Sequence, residues 1–214
     1  MNVDWAHTAI VLAVLVPSVI LHEVSHGFVA NLLGDDTARR AGRLTLNPLA
    51  HVDPFGTVIL PILLTLGGLG AFGYAKPVPV NVGRLRRPRQ HSLYVSLVGP
   101  AVNILIAVVA AVAFRTLFDS ERVGSTLFIE EGIWPEVVLW LGVVNVVLAA
   151  FNLIPLPPLD GSAVVERLLP ARWWPGWLKL RQYSMGILLL VVLLVPGVFD
   201  RVLEPAVRLW SSLL

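Results

Sequence analysis

His22-Glu23-Val24-Ser25-His26 places three ionisable side chains close together in a run, residues 8–33, where no other side chain can carry charge. An ionisable group at membrane depth costs at least about 2.5 kcal/mol on insertion scales, so three together mark a functional site unless they satisfy one another. At helical spacing His22 and His26 lie on one face, where both imidazoles can reach a single cation. Zinc takes imidazole nitrogen readily, and a catalytic site needs three protein ligands plus an open position. Glu23 is offset from the two histidines and suits a base better than a ligand. The same H-E-x-x-H pattern arises by chance on solvated faces of soluble helices. Here the neighbours are apolar and no solvent hydrates the three groups, which favours a metal site.

Of the 214 residues, 56% are hydrophobic and 14% charged, and the mean hydropathy of +0.77 lies outside the usual range of soluble globular domains. Charge-free runs over 54–75, 92–114, 137–159 and 182–199, added to the first helix, leave little room for a soluble domain. The expected fold is an all-α polytopic membrane protein with about four to five transmembrane helices, a re-entrant element and short membrane-associated β strands. One domain is expected to cover residues 1–214. Cysteine is absent, which excludes disulfides and thiolate ligands and leaves His, Asp or Glu to hold any transition metal. The pI of 9.4 comes from basic residues placed mainly in the short connections, as membrane orientation requires. No aromatic-basic module accompanies them, so nucleic acid is not an expected partner. Residues 1–5 lack a basic n-region and the apolar run is too long for a signal peptide, so the first helix is expected to be retained.

A first helix is expected over residues 7–33, stopping at Gly34. The motif then lies roughly 20 Å from its start and about 10 Å from its end. Pro17 either bends this helix before the motif or is a tolerated membrane proline. Residues 42–48 alternate polar and apolar and read as a short strand ended by Asn47-Pro48. His51 and Asp53 belong either to the metal environment or simply to the membrane boundary. Pro54, Pro61, Gly67, Gly68, Gly70 and Gly73 make 54–75 a poor straight helix and suggest a re-entrant or broken element.

Residues 76–82, with valines alternating with prolines, suit an extended edge strand, and a plain linker fits as well. Arg84, Arg86, Arg87 and Arg89 read as orientation charges. Within 92–114, small residues from Gly99 to Ala101 permit close helix approach, while Asn103 serves either packing or a hydrogen bond across helices. The acidic loop over 115–136 carries Asp119, Glu121, Glu130, Glu131 and Glu136. The run 137–159 reaches Asn152 and then Pro155, Pro157 and Pro158, so helical geometry must end there and leave Asp160 free to point inward.

Basic residues in the connections orient the chain. Arg39, Arg40 and Arg43 follow the first helix, and Arg167, Arg172, Lys179 and Arg181 follow Asp160, against Arg115 and Arg122 in the acidic loop. Both motif-bearing helices therefore end on the cytoplasmic side. With 92–114 crossing once between them, 54–75 must return to the side it left. Residues 182–199 form the last span, and 206–210 look interfacial.

Two motifs together resemble the site-2 protease family of intramembrane zinc metalloproteases. One is His22-Glu23-Val24-Ser25-His26, and the other is the N-x-x-P-x-x-x-L-D-G pattern at Asn152, Pro155, Leu159, Asp160 and Gly161. The segment from Gly99-Pro100 to Asn103 is similar to the family's intervening helix, and the likeness covers about residues 8 to 165, with no room for a PDZ or CBS domain. The resemblance implies one Zn2+ held by His22, His26 and Asp160, Glu23 as general base, and Asn152 near the substrate carbonyl. It implies cleavage of a peptide bond in or near a transmembrane segment of a membrane protein, in contact with membrane lipids and nearer the cytoplasmic face of the cell membrane. Strand addition to Lys76, Pro77, Val78, Pro79 and Val80 would hold the unwound substrate, with Asn103 also among the substrate-binding candidates. A metal transporter would need ligands at several depths, and a silent zinc-binding adaptor would need no base.

Overall fold

The first helix, α1, runs over Trp5–Leu32, beginning where the Asp4 carboxylate accepts the backbone N–H groups of Ala6 and His7. It passes unbroken through Pro17. It ends as expected at Gly34, whose φ of +113° lets the Asp35 N–H turn back onto the Ala30 carbonyl at 2.9 Å. This is a computed structural model, and it describes residues 4–60, 74–118, 120–123, 126–129, 132–195, 197 and 200–214. After a single turn, α2 (Thr37–Arg40), come α3 (Pro88–Leu117), the strands β1 (Ser120–Val123) and β2 (Thr126–Ile129), and α4 (Ile133–Asn152). The chain continues through α5 (Ser162–Leu168), α6 (Trp174–Leu194) and α7 (Asp200–Ser211).

Three of the described helices, α1, α3 and α4, are long and apolar enough to cross a membrane. The expected last span falls on α6, whose first half also carries Lys179 and Arg181. Direction follows from contacts at the helix ends. His7 near the start of α1 meets Glu136 near the start of α4, with Nδ1 and Oε1 2.9 Å apart. The Arg86 N–H, just before α3, donates to the Leu33 carbonyl at the end of α1 across 3.1 Å. So α1 and α4 run the same way with α3 against them, as the parity of the loops requires.

The excursion over 54–75 opens with a π-helical turn at Pro54–Ile59. The Tyr74 N–H donates to the Gly56 carbonyl at 3.0 Å, and the Lys76 N–H to the His51 carbonyl at 2.9 Å. Both ends of the excursion therefore meet, while 61–73, on which most of the re-entrant expectation falls, lie outside the described residues.

The two expected strands do not form ladders. Around 42–48, Gly42 turns the chain with φ +64°, and Asn47 caps a short 3-10 turn over Pro48–His51. Over 76–82, Pro77 and Pro79 have no N–H to offer. Of the five other donors, those of Lys76, Val78 and Asn81 are taken by the His51 carbonyl, the Glu23 carboxylate and the Asp35 carboxylate. Strand pairing occurs instead in the acidic loop, where β1 and β2 lie antiparallel with Ser120 opposite Ile129.

Without water to drive them together, membrane helices associate through close packing, which favours small side chains. Ala107, Ala110 and Ala111 of α3 form such a surface with Trp210 of α7. The expected interfacial segment is thus more than a surface element, since the Trp210 indole is buried and donates to the Ala107 carbonyl at 2.8 Å. Gly142 of α4 makes the space, because a Cβ there would stand 1.9 Å from the Trp210 ring. On the opposite side of α3, Leu105, Val109 and Val112 are exposed, as a lipid-facing surface requires.

Candidate metal centre

His22 and His26 project from adjacent turns of α1, with Ser18 one turn earlier on the same face. Asp160 reaches them from the far end of α4. The prolines stop that helix, and the chain folds back so that the Gly161 N–H bonds the Asn152 carbonyl at 2.7 Å. The turn is tight enough that a Cβ on Gly161 would lie 2.3 Å from the Leu153 carbonyl oxygen. Asp160 Oδ2 then stands 3.1 Å from His22 Nε2 and 3.3 Å from His26 Nε2. These three residues are the group able to hold a metal among the described residues.

Proton positions decide whether they fit a cation. His26 Nδ1 lies 2.6 Å from the Val95 carbonyl, which can only accept, so that nitrogen carries the proton. His22 Nδ1 lies 2.5 Å from Asn103 Oδ1, and Asn103 keeps that oxygen forward by donating its own amide to Asn145 Oδ1 at 2.7 Å. In the neutral rings both Nε2 atoms are therefore lone pairs, and they face Asp160 Oδ2, a buried oxygen with no hydrogen-bond donor. Three lone pairs directed at one point are mutually repulsive without a cation and form a ligand set with one. Ligands held at about 2.0 to 2.2 Å around a tetrahedral zinc sit roughly 3.3 to 3.5 Å apart, close to the spacings found. The residues fit zinc.

Gly99 of α3 leaves room for the pair, since a Cβ there would come within 2.5 Å of His26 Nε2 and 2.7 Å of the His22 ring. Gly99→Ala is expected to lower the bound zinc per purified chain well below that of the unaltered protein, as read by metal analysis. Equal zinc content would show that the rings can give way.

Glu23 Oε2 accepts the Val78 N–H at 2.9 Å. It borders a cavity of about 440 Å3 shared with His22, His26, Asp160, Asn152, Pro77, Val78 and Val80. Asn152 returns one amide hydrogen to the Leu148 carbonyl at 3.0 Å, which leaves its second N–H for the cavity. Lys76 and Pro79 belong to the same extended segment. Asn103 differs from expectation. It is fully buried behind His22, with its Oδ1 on the ring nitrogen Nδ1, and is not among the residues lining the cavity. His51 and Asp53 lie outside the group of described residues able to hold a metal. The first bonds the Thr45 carbonyl through Nε2 at 2.9 Å, and the second caps the turn at Phe55 and Gly56.

Sequence reasoning passed over Asn145 and Ser18. The signal was present in Asn145, an amide in the middle of an apolar membrane run, which needs a partner there. Ser18 carried less, because a serine can satisfy itself by bonding its own helix, as it does here at the Val14 carbonyl.

The family model for peptidase family M50 matches residues 10–127 and 122–195. The chain belongs to peptidase family M50. That is the site-2 protease family which its two motifs resemble, and it makes the chain a zinc metalloprotease. "Putative zinc metalloprotease YwhC" of Bacillus subtilis is 37% identical over 195 residues, covering 89% of this chain and 82% of the relative. Rip2 of Mycolicibacterium smegmatis, which carries the same description, is 32% identical over 90% of this chain and 69% of its own length. "Zinc metalloprotease MJ0392" of Methanocaldococcus jannaschii is 24% identical, covering 87% of this chain but 40% of the relative. No solved structure matches the chain.

Proposed function

We propose that this M50 chain hydrolyses a peptide bond within or near a transmembrane segment of a membrane protein, using one zinc ion and Glu23 as general base. The observation that carries the reading is the convergence of two imidazole lone pairs and an orphaned carboxylate oxygen beside a cavity bordered by a second carboxylate. When bound, zinc supplies an electrophile that acidifies water to a pKa of about 7 and polarises a carbonyl. Glu23 takes the proton from the attacking water and returns it to the leaving amine. The free N–H of Asn152 donates to the developing oxyanion, an interaction of about 2.7 to 4 kcal/mol in other hydrolases.

A substrate helix hides its carbonyls in its own hydrogen bonds, so a stretch must unwind before attack. Residues 76–80 then receive the extended stretch. The donors at Lys76 and Val78 are occupied and two prolines have none, so the pairing runs mainly from substrate N–H groups to carbonyls of this segment, with the Val80 N–H as the remaining donor. The hydrogen bonds joining Tyr74 to Gly56 and Lys76 to His51 support an excursion over 54–75 that returns to the side it left. The basic connections support a site nearer the cytoplasmic face of the cell membrane, within a single domain. A transporter reading is disfavoured because the described residues contain one ligand cluster at one depth.

Purified protein in liposomes with a transmembrane peptide provides the test. Stripping with a chelator is expected to abolish cleavage, and one equivalent of zinc per chain to restore it. Cleavage that survives complete zinc removal would overturn the proposal.

A further inference from the structure

Behind the metal centre lies a closed polar circuit that nothing in the hydrolytic chemistry requires. His22 Nδ1–H donates to Asn103 Oδ1, and Asn103 Nδ2–H donates to Asn145 Oδ1 at 2.7 Å. Asn145 Nδ2 in turn donates to Ser18 Oγ and to the Leu141 carbonyl, both at 2.8 Å, and Ser18 Oγ–H ends the run on the Val14 carbonyl at 2.7 Å. The circuit leaves α1 at Ser18, crosses α4 and α3, and rejoins α1 at His22. Ser18, Asn103 and Asn145 are each at most 1% exposed.

Every bond in it points one way, and the direction is set at one place. Leu141 offers a carbonyl, which can only accept, so the Asn145 amide must present its nitrogen there and its oxygen to Asn103. That oxygen requires Asn103 to turn its nitrogen toward α4 and its own oxygen toward His22. The oxygen in turn holds the His22 proton on Nδ1 and leaves Nε2 bare. We propose that Asn145 is a positioning residue for the metal, fixing through Asn103 which nitrogen of His22 carries the proton. The proposal rests on the zinc reading of the centre.

If Asn145 were replaced by an apolar residue, Asn103 would lose the acceptor that orients it. Its amide would then be free to turn over and offer an N–H to His22. The ring would answer by moving its proton to Nε2, the nitrogen meant for zinc. His26, tied to the Val95 carbonyl, would be unaffected, so the damage would fall on one ligand of three. Outer-shell partners of this kind typically contribute about 10- to 100-fold in metal affinity.

The experiment uses full-length protein in detergent with 15N-labelled histidine. In the metal-free unaltered protein, the nitrogen spectrum should show a proton on His22 Nδ1, the nitrogen that faces Asn103 Oδ1. A bare Nδ1 there would overturn the proposal without any variant. Asn145→Leu is expected to shift that proton to Nε2 and to weaken zinc binding by roughly 10- to 100-fold in chelator competition. Asn145→Asp, which keeps an acceptor oxygen toward Asn103, should hold zinc within about threefold of the unaltered protein. Zinc affinity in Asn145→Leu equal to that of the unaltered protein, with the proton still on Nδ1, would reduce the circuit to packing. Failure of the unaltered protein to bind zinc would instead remove the metal reading itself.

Discussion

Glu23→Gln is expected to keep zinc and to lose cleavage of a transmembrane peptide by about 10²- to 10⁴-fold, the range typical of a general base. The amide has nearly the volume of the carboxylate, and its oxygen can still accept the Val78 N–H that anchors Glu23 Oε2 at 2.9 Å. The hydrogen-bonding position is preserved while the proton acceptor is removed. Glu23 is not in the group of described residues able to hold a metal, so metal content should stay at the level of the unaltered chain. Substrate affinity should change little, because the lost interaction forms only as the water is deprotonated, and the fall should appear in kcat with KM nearly unchanged. Parallel measurements of bound zinc and single-turnover cleavage separate the possibilities. Retained cleavage removes Glu23 from its role, whereas loss of zinc makes it a ligand.

Much of this centre was legible from the chain because membrane interiors punish unpaired polar groups. His22, Glu23 and His26 stood out against an apolar run, and three prolines after Asn152 forced the turn that brings Asp160 inward. The direction of α1 and α4 followed from counting basic residues, and the His7–Glu136 contact agrees with it. The extended segments were harder. Alternating valines suggest a strand, but a ladder needs free backbone donors, and those of Val78 and Asn81 are occupied by the acids Glu23 and Asp35. That competition comes from tertiary contacts spanning more than forty residues in sequence, which no local pattern records. Asn103 was visible as a polar residue, but which side of His22 it would occupy depended on Gly99, where the close approach of α3 to α1 places it behind the ring. The burial of Trp210 was hidden for a similar reason. A charged, amphipathic stretch reads as interfacial until the notch at Gly142 on a different helix is known.

Asp160→Asn should produce the opposite pattern to Glu23→Gln, with zinc lost along with cleavage. In the proposed zinc site Asp160 is the anionic ligand, and its Oδ2 stands 3.1 and 3.3 Å from the Nε2 atoms of His22 and His26. An amide oxygen is a weaker zinc ligand. Its nitrogen also offers an N–H that either imidazole can accept, so the variant can satisfy in protein what the carboxylate leaves for a cation. The loss of zinc affinity should therefore exceed the roughly 10- to 100-fold typical of an outer-shell partner. Thermal melting gives a second measure that needs no substrate. Zinc at a thousand times its dissociation constant should stabilise the unaltered protein by about 4 kcal/mol, through binding to the folded state alone. The metal-free Asp160→Asn chain should melt at or above the metal-free unaltered chain, because its amide N–H meets an imidazole lone pair where the carboxylate oxygen has no donor. Added zinc should then raise the melting temperature of the unaltered chain and leave Asp160→Asn where it was. If both melting temperatures rise equally, His22 and His26 hold the ion without Asp160, and the carboxylate after Leu159 has some other purpose.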